Sequence, residues 1–208
     1  MTNKQILKGV ETYYSEKVKL HGDKAEGVDW NSKESQYLRF QQLSHVITTN
    51  TFSILDVGCG YGEYIHFLTH NNYQFDYTGY DVSNEMLQLA HKKFNTYKNC
   101  KFIAEMDTSL YDYAIASGIF NVRLNLATNQ EWLIYIKEQL TEMHTRTRMG
   151  FAFNALTSYS DTDKMKDYLY YANPLELFDF CKRNFGKNVA LLHDYNLYEF
   201  SIIVRKQI

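Results

Sequence analysis

The sequence predicts an α/β fold: a doubly wound, mostly parallel sheet of seven strands with one antiparallel edge strand, behind an N-terminal helical segment. Three observations predict it. Beyond residue 50, short β-branched runs alternate with stretches of helical periodicity, the pattern of parallel strands joined by crossover helices. The first of these runs stops abruptly at a cluster of glycines. The last two runs are separated only by residues 193–198, too few for a crossover helix, so they form an antiparallel pair at one edge.

Taken in order, Ile6, Val10, Tyr13, Tyr14 and Val18 repeat at three- and four-residue spacing and predict a helix. Leu20 to Val28 contains Gly22 and Gly27 and reads as a loop. Ser32, followed by Glu34 and Ser35, opens a second helix with Tyr37, Leu38, Phe40, Leu43, Val46 and Ile47 on its apolar side. The first strand is Phe52 to Val57, followed by a helix from Glu63 to Thr69 and a strand from Phe75 to Val82. Ser83 caps the helix Asn84 to Phe94, which carries Met86, Leu87 and Leu89. Strands are expected at Lys101–Ala104 and Tyr113–Ala116. A helix over Asn129–Met143 presents Trp132, Leu133, Ile136 and Leu140 on one side, and Met149–Phe153 is the next strand. Pro174 opens the helix Leu175–Phe185, since its missing N–H is tolerated in the first turn. Val189–Leu192 and Glu199–Arg205 close the chain as strands.

Composition narrows the function classes. The chain has 208 residues, 45% hydrophobic and 22% charged, enough apolar side chain for a core and close to the globular average. A formal net charge of -2 lacks the basic excess that non-specific nucleic-acid binding needs, which makes a nucleic-acid partner unlikely on charge grounds. Cys59, Cys100 and Cys181 have neither CxxC spacing nor an even count, so reduced thiols are expected, with no disulfide framework and no metal site. No run reaches the roughly 18 apolar residues of a membrane span, and the N-terminus has no apolar signal core. The expectation is a cytoplasmic protein with no membrane partner, monomeric or homodimeric. Aromatic residues reach 16%, with 18 tyrosines; some of these flat, polar-tipped rings should line a pocket.

The chemistry concentrates in the glycine turn. Ile54-Leu55-Asp56-Val57 runs directly into Gly58-Cys59-Gly60-Tyr61-Gly62 and then a helix. Glycines are needed where the backbone turns sharply and where a ligand approaches main-chain atoms without a Cβ in the way. The spacing is G-x-G-x-G, one residue short of the dinucleotide pattern G-x-G-x-x-G, and no Gly-Lys-Ser/Thr phosphate loop exists. Asp56 places a carboxylate before the first glycine, which is unfavourable for a pyrophosphate and suits a ligand bearing an ammonium. The second strand ends at Asp81, where a carboxylate can accept both hydroxyls of a ribose. Met86, at the start of the next helix, is placed to cover an adenine face.

Together, Ile54-Leu55-Asp56-Val57-Gly58-Cys59-Gly60-Tyr61-Gly62 and Gly79-Tyr80-Asp81-Val82-Ser83-Asn84-Glu85-Met86-Leu87 resemble motifs I and II of the class I S-adenosylmethionine (SAM)-dependent methyltransferases, of small-molecule type. The resemblance spans roughly residues 30 to 208 and implies a Rossmann-like sheet, with residues 1–50 as a helical lid over a methyltransferase domain at 51–208. It implies SAM as methyl donor and S-adenosylhomocysteine (SAH) as product. By the same resemblance Asp56, Gly58 and Gly60 surround the methionine part of SAM, Asp81 holds the ribose and Met86 packs on the adenine, with Cys59 and Val82 as further cofactor contacts. Met106 and Asp107 fall where the family contacts the adenine amino group, although the usual Gly-Asp pair is absent. Tyr113 to Gly118 resembles motif IV, which places Ser117 toward the transferred methyl. Trp30 to Phe40 resembles the lid of small-molecule members, in which Arg39 would pair with the SAM carboxylate while Trp30 and Tyr14 cover the cofactor.

Methyl transfer from a sulfonium is an in-line displacement on an already activated carbon, so alignment and exclusion of water dominate. A general base is needed only when the acceptor must lose a proton. His21, His193 and Tyr195 are the candidates, and each is equally readable as a structural side chain. Trp30, Asn121, Asn154, Tyr168 and Tyr171 are candidates for the acceptor wall. The reading is methyl transfer to an oxygen or nitrogen of a small-molecule acceptor. The alternatives are a nucleic-acid or protein methyltransferase, whose Asn/Asp-Pro-Pro-Tyr type signature is replaced here by Ser117-Gly118-Ile119-Phe120, and a non-catalytic SAM-binding module.

Overall fold

The computed structural model describes residues 3–21, 32–124 and 126–206. Helices α1 (Asn3–His21) and α2 (Lys33–Ser44) precede β1 (Thr51–Val57), α3 (Glu63–His70), β2 (Gln74–Tyr80), α4 (Asn84–Lys93), β3 (Cys100–Ile103) and β4 (Tyr111–Ala116). Then come α5 (Asn129–Thr145), β5 (Thr147–Leu156), a 3-10 turn at Thr162–Lys164, α6 (Pro174–Asn184), β6 (Asn188–Leu192) and β7 (Glu199–Arg205). The helix starts follow local chemistry. Ser32 and Ser83 accept the N–H groups of Ser35 and Met86. Thr128 and Glu131 form a reciprocal capping box, and Asn173 caps α6 with Pro174 in its first turn.

The seven strands form one sheet in the order β3-β2-β1-β4-β5-β7-β6. All neighbours are parallel except β7, which is antiparallel to both β5 and β6. The reversed strand is therefore inserted one place in from the edge, and β6 forms the rim. The order reverses between β1 and β4, where the chain leaves in opposite directions and opens a crevice at the carboxyl ends of the strands.

Two helical layers cover the sheet. On one face Ile6 of α1 is buried with Trp132, Tyr135 and Leu140 of α5 and Leu177 of α6. On the other, Phe40 and Leu43 of α2 pack with Tyr64 and Leu68 of α3 and Leu87 and Ala90 of α4. Between β3 and β4 only residues 104–110 cross over, and they contain no helix. Parallel strands are usually joined by a dozen residues or more, most often a helix. Here α1 packs on that same face and supplies apolar cover from the N-terminal side of the sequence. Strand β5 is longer than Met149–Phe153 at both ends. Its extension through Leu156 is stabilised by pairing with β7, and polar Asn154 interrupts the apolar run that would have revealed it.

Candidate active site

The pocket lies at the switch between β1 and β4, and its floor is the glycine turn. Gly58 and Cys59 both donate their backbone N–H to the Tyr80 carbonyl, at 2.8 and 3.0 Å, which ties the turn to the end of β2. Gly58, Gly60 and Gly62 have φ of 74°, 54° and 82°, a region that side chains disfavour. At Gly58 the restriction is doubly strict, because an added Cβ would lie 2.2 Å from the Ile119 side chain. The sequence folds this way because glycine alone lets β1 turn into α3 beneath the β4 end.

Two buried carboxylates face this turn. Asp56 accepts the Tyr77 hydroxyl at 2.7 Å. Burial pushes its carboxyl up to about 7, opposed by the Tyr77 hydrogen bond and assisted by the nearby Asp81 charge. Asp81 accepts the N–H groups of Gly60 at 2.8 Å and Ser83 at 2.9 Å. Its pKa is also raised, by burial, with those backbone donors and Val82 pulling the other way. Both acids are therefore fixed in direction and held in a medium where a cationic or hydroxyl-bearing ligand is strongly attracted. Cys59 is buried, which pushes its thiol well above the ordinary cysteine range. It is unsuited to act as a nucleophile.

Asp56, Gly58, Cys59, Gly60, Asp81, Val82, Met86 and Ser117 all line this one pocket. Met86 is buried against Tyr61, with Tyr14 and Leu89 packed on the pair. The Ser117 hydroxyl is buried without a hydrogen-bond partner. The pocket also takes Leu7 and Val10 from α1, Gln36 and Phe40 from α2, Glu63, Tyr80 and Ile119, and Tyr135 with Gln139 from α5. Sequence reasoning did not place the α5 pair there. Their spacing of four puts them on one helix face, but which face meets the pocket depends on how α5 packs.

The structure places several of the expected site residues outside this pocket. Arg39 does not line the pocket; it forms a bidentate pair with Glu199 at 2.8 and 2.6 Å. Asp107 is on the surface, accepting the Ser109 N–H and pairing with Lys101, and Met106 packs against the core on the α1 side. Neither lines the pocket. Asn121 accepts the Leu156 N–H, and Asn154 accepts the Gly118 N–H while donating to Glu199, so both amides are used inside the fold. Tyr171 accepts the Lys166 N–H, and the Tyr168 carbonyl accepts from Arg123 and Leu124; these tyrosines form a packed loop away from the pocket. His193 lies against the rings of Tyr159, tilted, and Phe200, edge-on. Tyr195 bonds Ser201, and burial raises its pKa further from use as a base. His21 ends α1, and its side chain lies outside the described residues, as does Trp30 entirely. Among the described residues no cluster of three or more His, Cys, Asp or Glu is arranged to hold a metal, and no helix is long and apolar enough to cross a membrane.

Comparison with known proteins agrees with this geometry. A family model described as a methyltransferase domain matches residues 55–142, the span from the glycine turn to α5. A Mycobacterium tuberculosis protein named only provisionally as a methyltransferase, Rv1506c, is 51% identical over 163 residues, covering 77% of this chain and 97% of that one. Among solved structures, the magnesium protoporphyrin IX methyltransferase of Synechocystis PCC 6803 with bound SAM is similar with a TM-score of 0.64 at 14% identity, covering 100% of this chain and 99% of that one. The 1,6-didemethyltoxoflavin-N1-methyltransferase of Burkholderia thailandensis, bound to its acceptor and SAH, has a TM-score of 0.62 at 16% identity, covering 96% and 90%. The fold is thus shared with structures of enzymes that transfer a methyl group, and the span from the glycine turn to α5 matches a methyltransferase domain. The chain belongs to the class I SAM-dependent methyltransferases.

Proposed function

We propose that this methyltransferase acts on an oxygen or nitrogen of a small molecule held between α1, α2 and the carboxyl ends of β1 and β4. The observation that carries the reading is the roof of the pocket. Leu7, Val10 and Tyr14 enter from α1, and Gln36 and Phe40 from α2, so the donor site lies under helices from both layers. An enclosed site of this kind suits a compact acceptor better than a chain of nucleic acid or protein. The two structural neighbours named above take acceptors of that size, magnesium protoporphyrin IX and 1,6-didemethyltoxoflavin. In this reading α1 and α2 act as the lid expected of residues 1–50.

The residues divide the work. Asp56 faces the SAM ammonium, Asp81 the ribose hydroxyls, and Met86 with Val82 the adenine. Gly58 and Gly60 keep side chains out of the methionine path. Ser117 offers its unpartnered hydroxyl beside the reacting end. The sulfonium supplies the activation, so the protein's contribution is alignment and a dry site.

Calorimetric titration with SAM, and separately with NADH, tests the donor assignment. Saturable SAM binding is expected, with no NADH binding and a loss of at least about tenfold in Asp81→Ala, the size of one charge-assisted hydrogen bond. A screen of small acceptors for SAH release then tests the acceptor class. Release with oligonucleotides or peptides, and with no small molecule, would overturn it.

A further inference from the structure

A buried polar chain runs from α2 to the β4 end, outside the pocket lining. Arg39 of α2 grips Glu199 of β7 through two nitrogens, at 2.8 and 2.6 Å. Glu199 accepts from the Asn154 side-chain amide of β5 at 2.6 Å. The Asn154 oxygen accepts the Gly118 N–H at 2.7 Å. The side chains of Arg39 and Glu199 are 8% and 3% exposed, and Asn154 is fully buried.

We propose that Arg39, Glu199 and Asn154 are positioning residues for methyl transfer, holding the Ser117–Gly118–Ile119 turn in the conformation the pocket requires. The proposal rests on the reading of this pocket as the SAM site. A carboxylate can only accept, so Glu199 obliges Asn154 to present its NH2 group. The Asn154 oxygen must then face the opposite way, onto Gly118. The amide orientation is thus set by a charge two links from the pocket. Asn154 lies one residue beyond the last β4–β5 pair, Ala116 with Phe153, where no sheet hydrogen bond is available to Gly118. Gly118 sits at φ 79°, and its neighbours Ser117 and Ile119 line the pocket. Ile119 also closes against Gly58, so a shift of this turn reaches the glycine turn directly.

Stability alone does not account for the arrangement. Asn is poorly suited to a strand interior, and a buried ion pair is often replaceable by apolar side chains at no loss. What an apolar replacement cannot do is accept the Gly118 N–H. The chain also joins α2, which brings Gln36 and Phe40 to the pocket, to the turn on its far side.

The test combines 15N-glycine NMR with SAH calorimetry on the full chain. In the wild type the Gly118 amide is expected to be protected from exchange. In Glu199→Gln and Asn154→Leu it should shift and exchange at least about tenfold faster, with SAH Kd weakened about tenfold in each and no further in the double variant. Arg39→Lys keeps a positive charge opposite Glu199, so the Gly118 signal should stay near its wild-type position. The Gly150 and Gly186 signals, from glycines that do not line the pocket, report that each variant is folded. A wild-type Gly118 amide that exchanges at loop rates would overturn the proposal without any variant. So would Glu199→Gln with lowered Tm but an unmoved Gly118 signal and unchanged SAH affinity, the result of a purely structural clamp. A folded wild type that binds no SAH would instead overturn the cofactor reading, leaving the Gly118 comparison to decide the polar chain.

Discussion

Asp56 concentrates the conflict between folding and binding in one side chain. Burial lifts its carboxyl to about 7, above its value in an unfolded chain. A folded-state pKa raised in this way gives stability that is complete below the unfolded pKa and is lost as pH rises through 7. The ligand-free protein should therefore weaken between about pH 4 and 7 through this residue. Asp56→Asn, which keeps an acceptor for Tyr77, is expected to gain roughly 2 kcal/mol of stability relative to the wild type between pH 5 and pH 8, in urea melts at both pH values. Binding should move oppositely. An ammonium ligand prefers the ionised acid, so SAM affinity is expected to rise about tenfold from pH 6 to pH 8 in the wild type. The asparagine variant should bind weakly at both. A pH-independent wild-type Kd would exclude Asp56 as the ammonium partner. The place of Asp56 in the pocket was legible in the sequence because it is set locally, two residues before the first glycine of a turn that closes on itself. Arg39 was legible only as a cation on the right helix. Its partner Glu199 lies 160 positions away, and nothing local distinguishes a carboxylate in the ligand from one in a distant strand.

At the scale of elements, α1 stands where the β3–β4 connection has no helix. Ile6 is buried among the core residues of α5 and β4, and Ser15 bonds Ser83 and Glu85 at the start of α4, at 2.9 and 2.7 Å. The periodicity of α1 announced a helix with an apolar side, but its place depended on a vacancy that only the whole sheet reveals. The shortness of residues 104–110 also explains Met106 and Asp107: a direct crossover carries them past the pocket, Met106 onto the core and Asp107 to the surface. The two anchors of α1 have different strengths. Ser15→Ala is expected to cost about 1 kcal/mol and lower Tm by about 2–4 °C. Ile6→Ala is expected to cost about 2–5 kcal/mol. Both should weaken SAH binding in the same order, since each loosens the helix that brings Leu7, Val10 and Tyr14 to the pocket. Calorimetry beside thermal melts checks this. A fall in Tm with no change in SAH affinity would make α1 a core helix without a role as a lid.

The whole molecule has two apolar layers that the sheet keeps apart over most of their extent, one built on α1, α5 and α6 and the other on α2, α3 and α4, with α1 touching the start of α4 through Ser15. The pocket interrupts that separation. Leu7, Val10 and Tyr135 line it from the first layer and Phe40 from the second, with the glycine turn between them. A ligand in contact with both layers lowers the free energy of the state in which both are docked, so its binding strengthens the coupling between them. At a hundred times its Kd such a ligand stabilises the fold by about 2.7 kcal/mol, which for a chain of this size raises Tm by about 5–10 °C. Hydrogen exchange separates this coupling from simple local protection. SAH should slow exchange in α1 around Leu7–Tyr14 and in α2 around Gln36–Phe40 together. Loosening α1 with Ile6→Ala should reduce the protection that SAH gives to α2, although no residue of α2 has changed. Protection confined to the glycine turn and α4 would mean that the ligand binds the sheet edge alone, and that the helices above it enclose the acceptor without sensing the donor.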